Sequence, residues 1–475
     1  MLKLVVIVNV KLLLSSTIND SHIGQLIQIR GRIYYKEISD DNKYLYIYIR
    51  DDVGLLTIIL ENKMFSSLTD IPLETFIAVT GIVEFNTEPS ITKYIIYGST
   101  YELLSPPSND IEELKPVLSS IRFLYIRRPE IKTLLLLKRY IRRYAISYLE
   151  ENGFQPVETP VITSFTQINR QAMRLSTNKE NDISERDKFL IQKSQFYLEA
   201  LAGTFGKVYT LTPAFRSDHR ESDLLLAEFW LLEVEEIFST SLEKMHLLEE
   251  TVKFISKILI ENHIQDLRNL LIYRSISRSK VRKLKFHKLG ESFWNQIEDN
   301  LKNQHLFLTK IINKKFPRLK YKDIIKDFQT NGEYFETTHL REKRGNYLTT
   351  KFDGPVFLTE FPFTLRHFYD KKCIEDPAYT NTFDLIGHGN YGEIASGSER
   401  EYRANIIEAQ MKEKKLRKDN NQTLQWYDKL QRFGSVPHAG FSIGLERLTA
   451  WLTQTDNISD VVAFPRRMVG NDINY

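Results

Sequence analysis

Short apolar runs of strand character occupy the chain from Ile23 to Leu104. Five runs rich in β-branched and aromatic residues are separated by polar turns, and they start at Gln25, Tyr44, Leu55, Phe76 and Lys93. Residues of these types suit a pleated, half-buried surface. The pattern predicts a small all-β barrel, and a five-stranded oligonucleotide-binding (OB) barrel is the natural candidate.

The pattern changes after this region. Ser105–Asp110 contains two prolines, which remove backbone donors and indicate a hinge. Ile131–Asn152 then carries apolar residues at helical spacing and is followed by Gly153, a plausible helix stop. Strand and helix patterns alternate from there onward. We therefore predict an N-terminal segment (1–22), a barrel (23–104), a hinge (105–122) and a large mixed domain (123–475).

One basic stretch interrupts the large domain. Arg274–Lys288 contains seven Lys or Arg residues and no acid. It could meet phosphate, but the interpretation we favour is the solvated face of an insertion near 265–345.

Composition narrows the classes of protein. The chain has 475 residues, 42% of them hydrophobic, which is enough for a large core or several domains. Its net charge of +4 is too small to hold nucleic acid by bulk charge alone. The single cysteine, Cys373, excludes an internal disulfide framework and a cysteine-rich zinc site. Leu4–Leu14 is broken by Asn9 and Lys11, so we expect a cytoplasmic protein without a membrane span.

Three widely separated segments look like parts of one site. Gly153–Pro160 predicts a helix end that continues into a strand. Phe215–Asp218 is followed by a linker and then by Glu228–Glu233. Gly440–Arg447 predicts a glycine-punctuated strand leading into a helix.

In order and character these segments resemble the three signature motifs of the class II aminoacyl-tRNA synthetases. The chain is most similar to the asparaginyl enzymes of the aspartate-type subgroup, over nearly all of its length. The matching pieces include Leu226–Trp230, Arg432–Gly440, Asp456–Val461, Phe464–Arg466 and Gly470–Asn471. The resemblance implies an α+β fold, with the catalytic domain on an antiparallel sheet flanked by helices, an anticodon-binding barrel before it, and a homodimer formed through the first motif.

The resemblance also implies ATP and Mg²⁺ as cofactors. Activating a carboxylate with ATP builds negative charge on the α-phosphate, which fixed cations and Mg²⁺ stabilise. Arg216 matches the arginine that contacts the α-phosphate and the carboxylate, and Arg447 matches the one at the γ-phosphate. Phe229 matches the aromatic on which adenine stacks, and Asp218 stands where the family usually has a glutamate for the adenine amino group.

Further residues match the metal site and the substrate pocket. Glu393 and Ser396 match the pair that holds Mg²⁺, an ion that prefers oxygen ligands. Glu233 and Arg400 match the residues that read an asparagine amide, because an acid accepts from the NH₂ group and an arginine donates to the carbonyl. Gln195 matches a pocket-lining glutamine.

In the barrel the resemblance points to nucleic-acid contacts. Tyr46 stands where the family stacks an anticodon base, and Arg50 fits the same pattern. Thr57 replaces the glutamine that reads the central anticodon base.

Other departures concentrate at the catalytic site. The place where the family has a glutamate for the substrate's α-ammonium falls at Gln167 or Ile168, and neither is an acid. If Gln167 takes this role, its amide still accepts a hydrogen bond but the charge of the contact is lost. Leu224 and Leu225 replace an Arg-His pair that would face the ATP phosphates or the tRNA end. Ser442 replaces a pocket glycine.

Three functions remain open at this point. The first is an asparaginyl-tRNA synthetase-like enzyme that forms an adenylate from ATP and asparagine, or a related carboxylate, and passes it to tRNA. The second is a paralogous AMP-forming amide or ester ligase that does not charge tRNA. The third is a non-catalytic tRNA-binding or regulatory protein, against which the intact Arg216, Glu393, Ser396 and Arg447 argue.

Overall fold

The chain forms two compact units. The computed structural model describes residues 11–51, 54–87, 91–106, 121–163, 172–175, 188–217, 222–278, 286–330, 347–389, 391–416 and 422–468. The first unit comprises Met1–Thr133 with Gln265–Asn303, and the second comprises Leu134–Ile264 with Gln304–Asn474.

Strands of the first unit pair in a closed ring. They are β1 (Lys11–Leu13), β2 (Leu26–Ile38), β3 (Tyr44–Arg50), β4 (Leu55–Glu61), β5 (Phe76–Phe85) and β6 (Tyr94–Ser105). The order β2-β3-β4-β6-β5 returns to β2 through a β2–β5 pairing, and β1 pairs with β2 in parallel. The five predicted strands are thus present, while the assignment of the ring to the oligonucleotide-binding class stays a prediction.

The interior of this ring follows the strand alternation. Ile27, Ile29 and Ile33 of β2 and Ile47 and Ile49 of β3 are fully buried in one apolar cluster. Because successive side chains of a strand point to opposite faces, the residues between them lie on the outer face.

A second apolar cluster of the first unit joins this outer face to residues far along the chain. Its fully or nearly fully buried members are Tyr48, Leu55, Ile91, Ile272, Tyr273, Phe286, Leu289, Trp294 and Ile297. Tyr35 and Tyr46 pack against it. Residues Gln265–Asn303 therefore bury their apolar side chains on the barrel strands.

The second unit contains an eight-stranded sheet and a small three-stranded sheet. The strands are β7 (Gln155–Pro156), β8 (Ile162–Thr163), β9 (Arg174–Leu175), β10 (Lys188–Leu190), β11 (Lys207–Phe215), β12 (Glu228–Ile237), β13 (Arg318–Lys320), β14 (Val356–Thr359), β15 (Thr382–Gly387), β16 (Gly392–Glu399) and β17 (His438–Gly444). The large sheet has the order β13-β14-β15-β16-β17-β12-β11-β7, and the small one has the order β8-β10-β9. All pairings in the large sheet are antiparallel apart from the two at its ends, β13–β14 and β7–β11.

The helices of the described residues alternate with these strands. They are α1 (Asn62–Phe65), α2 (Arg122–Tyr125), α3 (Pro129–Glu151), α4 (Gln195–Phe205), α5 (Ser241–Arg278), α6 (Glu291–Asn313), α7 (Tyr321–Thr330), α8 (Ala404–Glu413), α9 (Gln422–Arg432) and α10 (Leu445–Leu452). Helix α4 packs on β11 and β12, and α10 packs on β12 and β17. The predicted α+β class, with helices against an antiparallel sheet, is confirmed.

The predicted end of the first long helix is also correct. Helix α3 ends at Glu151, and Gly153 adopts φ +84°, a left-handed conformation that suits glycine.

The compact units differ from the domain limits expected from sequence. The strand Lys11–Leu13 lies before residue 23, and the first unit continues past residue 122 because Arg127 forms an ion pair with Glu74 of the barrel at 3.1 Å. Residues Gln265–Asn303 belong to this unit, whereas the pattern assigns them to an insertion of the catalytic domain. Most of the predicted hinge (107–120) and part of the basic stretch (279–285) lie outside the described residues.

Among the described helices, none combines the length and the apolar character that crossing a membrane requires.

Candidate active site

The sheet of the second unit brings the predicted motifs side by side. Strands β11 and β12 carry the second motif, β17 with α10 carries the third, and β16 carries Glu393 and Ser396. Their order in the sheet is β16-β17-β12-β11, so residues more than two hundred positions apart lie on adjacent strands.

Four of the predicted site residues act electrostatically on the half-buried amine of Lys193. Burial lowers the pKa of Lys193, and the nearby guanidinium groups of Arg216 and Arg400 lower it further. The carboxylates of Glu233 and Glu393 oppose this shift. Lys193 is half-buried and directly precedes Ser194, whose N–H binds Glu233, and β12 and β16 are separated only by β17 in the sheet. The four charged side chains therefore face the same region of the second unit.

Glu233 is a buried acceptor on β12. Its Oε1 accepts the backbone N–H of Ser194 at 2.7 Å, and its Oε2 accepts the hydroxyl of Ser442 at 3.3 Å. Burial raises the pKa of Glu233, while the Ser194 N–H and the Lys193 charge counteract the rise. The carboxylate can accept additional hydrogen bonds, as the reading of an amide NH₂ requires.

Arg400 pairs with Glu235 and not with Glu233. Its Nε and Nη2 lie 3.3 and 3.1 Å from the two carboxylate oxygens of Glu235. Burial alone would lower the pKa of Arg400, but the charge of Glu235 raises it well above its ordinary range. A Cβ at Gly440 would lie 2.1 Å from the Glu235 carboxylate, so glycine is needed there. The third motif thus leaves room for the acid that orients Arg400.

Arg447 is fixed by backbone acceptors at the start of α10. Its guanidinium donates to the carbonyl oxygen of Glu393 and, at 3.2 Å, to that of Leu224. The neighbouring Glu446 is buried, accepts the N–H of Trp230 at 3.0 Å and pairs with Lys138 at 2.7 Å. This framework connects the third motif to β12, β16 and α3.

Arg216 lies over the ring of Phe229, with its guanidinium carbon 5.1 Å from the ring centroid. The two residues come from adjacent strand ends, since Ala214 pairs with Phe229 in the β11–β12 register. An aromatic face and a permanent cation in contact suit an adenine ring and a phosphate.

The predicted metal ligands lie beside an acid that sequence analysis did not single out. Ser396 is opposite Asp384 in the β15–β16 register. Burial raises the pKa of Asp384, and the negative charge of Glu393 raises it further. The guanidinium of Arg366, 2.7 Å away, lowers it. The Oδ1 atom of Asp384 is buried and has no partner of good hydrogen-bond geometry within the described ranges, although the Ser396 hydroxyl is close enough to lower the pKa of this carboxyl. Oxygen donors with one unsatisfied buried atom fit a hard cation such as Mg²⁺.

Gln195 belongs to a buried network instead of having a free amide. It donates to Glu199 Oε1 at 2.9 Å, and the Glu199 Oε2 receives Tyr427 Oη at 2.7 Å and lies 3.1 Å from His438 Nε2. Burial lowers the pKa of His438, but the hydrogen bond and charge of Glu199 more than offset it, so the pKa is raised.

Two predicted site residues, Gln167 and Asp218, lie outside the described residues. Sequence reasoning in turn missed Lys193, Asp384 and Glu235. A lone acid within the apolar strand Thr382–Gly387 was a usable signal for Asp384. No local pattern marks Lys193, because only the fold places it among the other charges.

The three residues predicted to contact nucleic acid are engaged within the first unit. Tyr46 stacks on His287, with ring centroids 4.6 Å apart and an interplanar angle of 5°. Arg50 donates to the Arg127 carbonyl and pairs with Glu74. The remaining residue, Thr57, is buried, and its hydroxyl lies 2.9 Å from that of Thr92.

Comparison with known proteins agrees with this arrangement. An asparagine–tRNA ligase of Desulforamulus reducens is 29% identical over 457 residues, covering 94% of this chain and 96% of that protein. A Thermoplasma acidophilum protein of the same name is 26% identical over 459 residues, with the same coverage of both chains.

Solved structures give the same fold. The asparaginyl-tRNA synthetase of Pyrococcus horikoshii in complex with asparaginyl-adenylate has a TM-score of 0.77 at 24% identity, covering 96% of this chain and 98% of that one. The enzyme of Entamoeba histolytica in complex with asparaginyl-adenylate has a TM-score of 0.78 at 22% identity and the same coverage.

The family model described as "tRNA synthetases class II (D, K and N)" matches residues 115–468. That range contains all three motifs and every charged group around Lys193. With both the matched sequence and the strand order in agreement, the chain belongs to the class II tRNA synthetase family of the D, K and N enzymes.

Proposed function

We propose that this chain activates asparagine with ATP to asparaginyl-adenylate and transfers the asparaginyl group to tRNA in the cytoplasm. The observation that carries the proposal is the convergence of Arg216, Glu233, Glu393 and Arg400 around Lys193 in the sheet of the second unit. The names of the curated relatives, which match 94% of the chain, support the same amino acid.

The site residues suit the activation step. A carboxylate oxygen of asparagine attacks the α-phosphorus, a P–O bond forms, and the bond to pyrophosphate breaks. Arg216 is placed to neutralise charge on the α-phosphate and Arg447 charge on the leaving pyrophosphate. Phe229 offers the ring on which adenine stacks, and Asp218 is proposed to accept the adenine amino group.

Glu393 and Ser396 would hold Mg²⁺, and the buried Oδ1 atom of Asp384 fits a further contact to the ion or its water. When bound, Mg²⁺ supplies charge neutralisation of the ATP phosphates. Arg366 beside Asp384 offsets part of the negative charge when the ion is absent.

Amide selection follows from the buried acid. The Glu233 carboxylate accepts from an asparagine NH₂ but repels the carboxylate of aspartate. Arg400, oriented by Glu235, donates to the amide carbonyl. We assign Ser442 to the wall of this pocket and Gln195 to the same wall with its amide held by Glu199, and Gln167 is proposed to meet the α-ammonium. We further propose a homodimer, as the first motif implies.

The test is ATP–pyrophosphate exchange by the full-length chain with asparagine, aspartate and lysine, followed by addition of tRNA. Exchange with asparagine and formation of asparaginyl-tRNA support the proposal. Exchange with asparagine but no charging, with the adenylate consumed by ammonia or an amine, would show the amide-forming ligase instead. No exchange with any of the amino acids would refute an activating enzyme of this family's type.

A matched variant tests the pocket. In Glu233→Gln the amide can donate to a carboxylate, so the preference for asparagine over aspartate should fall at least about tenfold. Exposed Glu261→Gln on α5 is the control and should keep the wild-type preference. An unchanged preference in Glu233→Gln would move the specificity contact elsewhere.

A further inference from the structure

The outer face of the barrel is covered by the chain itself. In five-stranded oligonucleotide-binding barrels, the class predicted for this ring, the second and third strands carry the face that meets nucleic acid. The corresponding strands of the ring are β3 and β4. Tyr46 and Tyr48 of β3 lie on this face, and Tyr35 of β2 is opposite Tyr48 in register. All three aromatic rings contact Phe286 or His287.

The residues that cover this face form what we call the cover segment, Phe286–Ile297. Phe286 packs 4.4 Å from the ring of Tyr35 and 5.1 Å from that of Tyr48, between ring centroids. The imidazole of His287 lies nearly parallel to the Tyr46 ring, in the geometry of a stacked base.

Polar contacts fix the cover segment in register. Glu37 of β2 accepts the backbone N–H of Phe286 at 3.0 Å and that of His287 at 2.9 Å. It also accepts the hydroxyl of Tyr48 at 2.9 Å, and the Nδ1 atom of His287 lies 3.0 Å away. This carboxylate therefore binds the cover segment and the barrel face together.

Burial indicates that the cover segment is part of the core. The relative exposures of Phe286, Leu289, Trp294 and Ile297 are 8%, 7%, 7% and 0%. Moving the segment aside would expose all of these apolar side chains and separate Glu37 from its donors.

Base readout on β4 is also absent for an independent reason. Thr57 is buried and its hydroxyl pairs with Thr92, so this position presents no free polar group to a base. Both elements of the face, the ring and the polar reader, are engaged internally.

From these contacts we infer that the cover segment permanently occupies the nucleic-acid face of the barrel, and that the enzyme accepts tRNA without reading an anticodon base there. The inference rests on the proposed function, because it concerns how the same enzyme selects its tRNA. It assigns to His287 of the cover segment the role of a built-in replacement for the anticodon base.

The test uses the full-length chain and four anticodon stem-loop RNAs that differ only in the central anticodon base. Binding is followed by fluorescence anisotropy. Affinities equal within about twofold, or no binding at all, support the inference, whereas a preference of about tenfold or more for one base overturns it. The measurement needs no adenylation, so failure of pyrophosphate exchange would refute the proposed function without deciding this point.

Amide hydrogen exchange on the wild-type chain gives a second readout. The N–H groups of Phe286 and His287 should stay protected in the presence of saturating stem-loop RNA or tRNA transcript. Loss of their protection on addition of RNA would show that the cover segment moves aside, and would overturn the inference.

A variant tests which side chain blocks the face. His287→Ala should uncover the Tyr46 ring and increase stem-loop affinity severalfold, because a base can then stack on it. Exposed His305→Ala on α6 is the control. Unchanged affinity in His287→Ala would contradict the role given to the imidazole.

Discussion

Arg447 shows how a single side chain is prepared for an anionic ligand before the ligand arrives. Its guanidinium is held by the carbonyl oxygens of Glu393 and Leu224, and neither of these is a countercharge. These two neutral acceptors fix the position of a permanently charged guanidinium, which suits an anionic phosphate.

Arg447→Ala should lower kcat/KM for ATP in pyrophosphate exchange by about a hundredfold or more, because a charge-assisted contact to the reacting phosphates is lost. The control is Arg139→Ala, which removes an exposed arginine of α3. Exchange within severalfold of wild type in Arg447→Ala would place the γ-phosphate elsewhere.

Ser442 is a second residue whose effect is local. Its hydroxyl donates to Glu233 Oε2, the same carboxylate that the proposal uses to read the amide. The serine therefore takes up part of the acceptor capacity of this carboxylate.

Ser442→Gly should free this acceptor, so the KM for asparagine should fall by roughly threefold while the KM for ATP stays unchanged. Steady-state pyrophosphate exchange measures both constants. A higher KM for asparagine would mean that the hydroxyl itself contacts the substrate.

At the scale of elements, a buried network of hydrogen bonds around Glu199 joins two helices and one strand of the site. Helix α4 supplies Glu199, β17 supplies His438, and α9 supplies Tyr427. Burial raises the pKa of Glu199, but the hydrogen bond and the charge of His438 lower it by more. The net effect is a lowered pKa. Each of the two groups therefore favours the charged form of the other.

This pair makes stability depend on pH. The pKa of His438 in the folded protein is raised above its ordinary value of 6.5. Its contribution to the free energy of unfolding is therefore complete below pH 6.5 and is lost as the pH rises through the raised pKa. We expect the melting temperature to fall from neutral to moderately alkaline pH, and the fall to be smaller in His438→Gln. Melting curves across this range check the prediction, and equal slopes in both proteins would contradict it.

At the scale of the whole molecule, each unit has its own core. The cover segment contributes to the core of the first unit, where Trp294 is nearly fully buried and its Nε1 donates to the Leu289 carbonyl at 3.1 Å. The residues proposed to act in catalysis belong to the second unit.

Trp294→Ala should destabilise the first unit by about 3–5 kcal/mol through loss of a large buried side chain. Amide hydrogen exchange should show lost protection in β3, β4 and the cover segment, while β12 and β17 keep their protection. The rate of asparagine-dependent ATP–pyrophosphate exchange should stay within about twofold of wild type. Phe433→Ala, at a 90% exposed position, is the control. Equal loss of protection in both units would show that they unfold together.

Much of this architecture could be read from local pattern. Strand alternation between Ile23 and Leu104, the helix that stops before Gly153 and the three motifs each depend on residues close together in the chain, and all agree with the structure. The same motifs predicted the family. They also predicted that one site contains Arg216, Glu233, Glu393 and Arg447.

Other features depended on residues distant in sequence. Three such features are the pairing of Arg400 with Glu235, the charges that act on Lys193 and the buried Oδ1 atom of Asp384. They arise only when β12, β15 and β16 lie in one sheet. The basic stretch before Lys288 reads as solvated surface, yet Phe286 and His287 at its end are packed on barrel tyrosines. Periodicity reports which face of an element is apolar, but the partner of that face is decided by tertiary packing, because contact energy depends on distance in space and not along the chain.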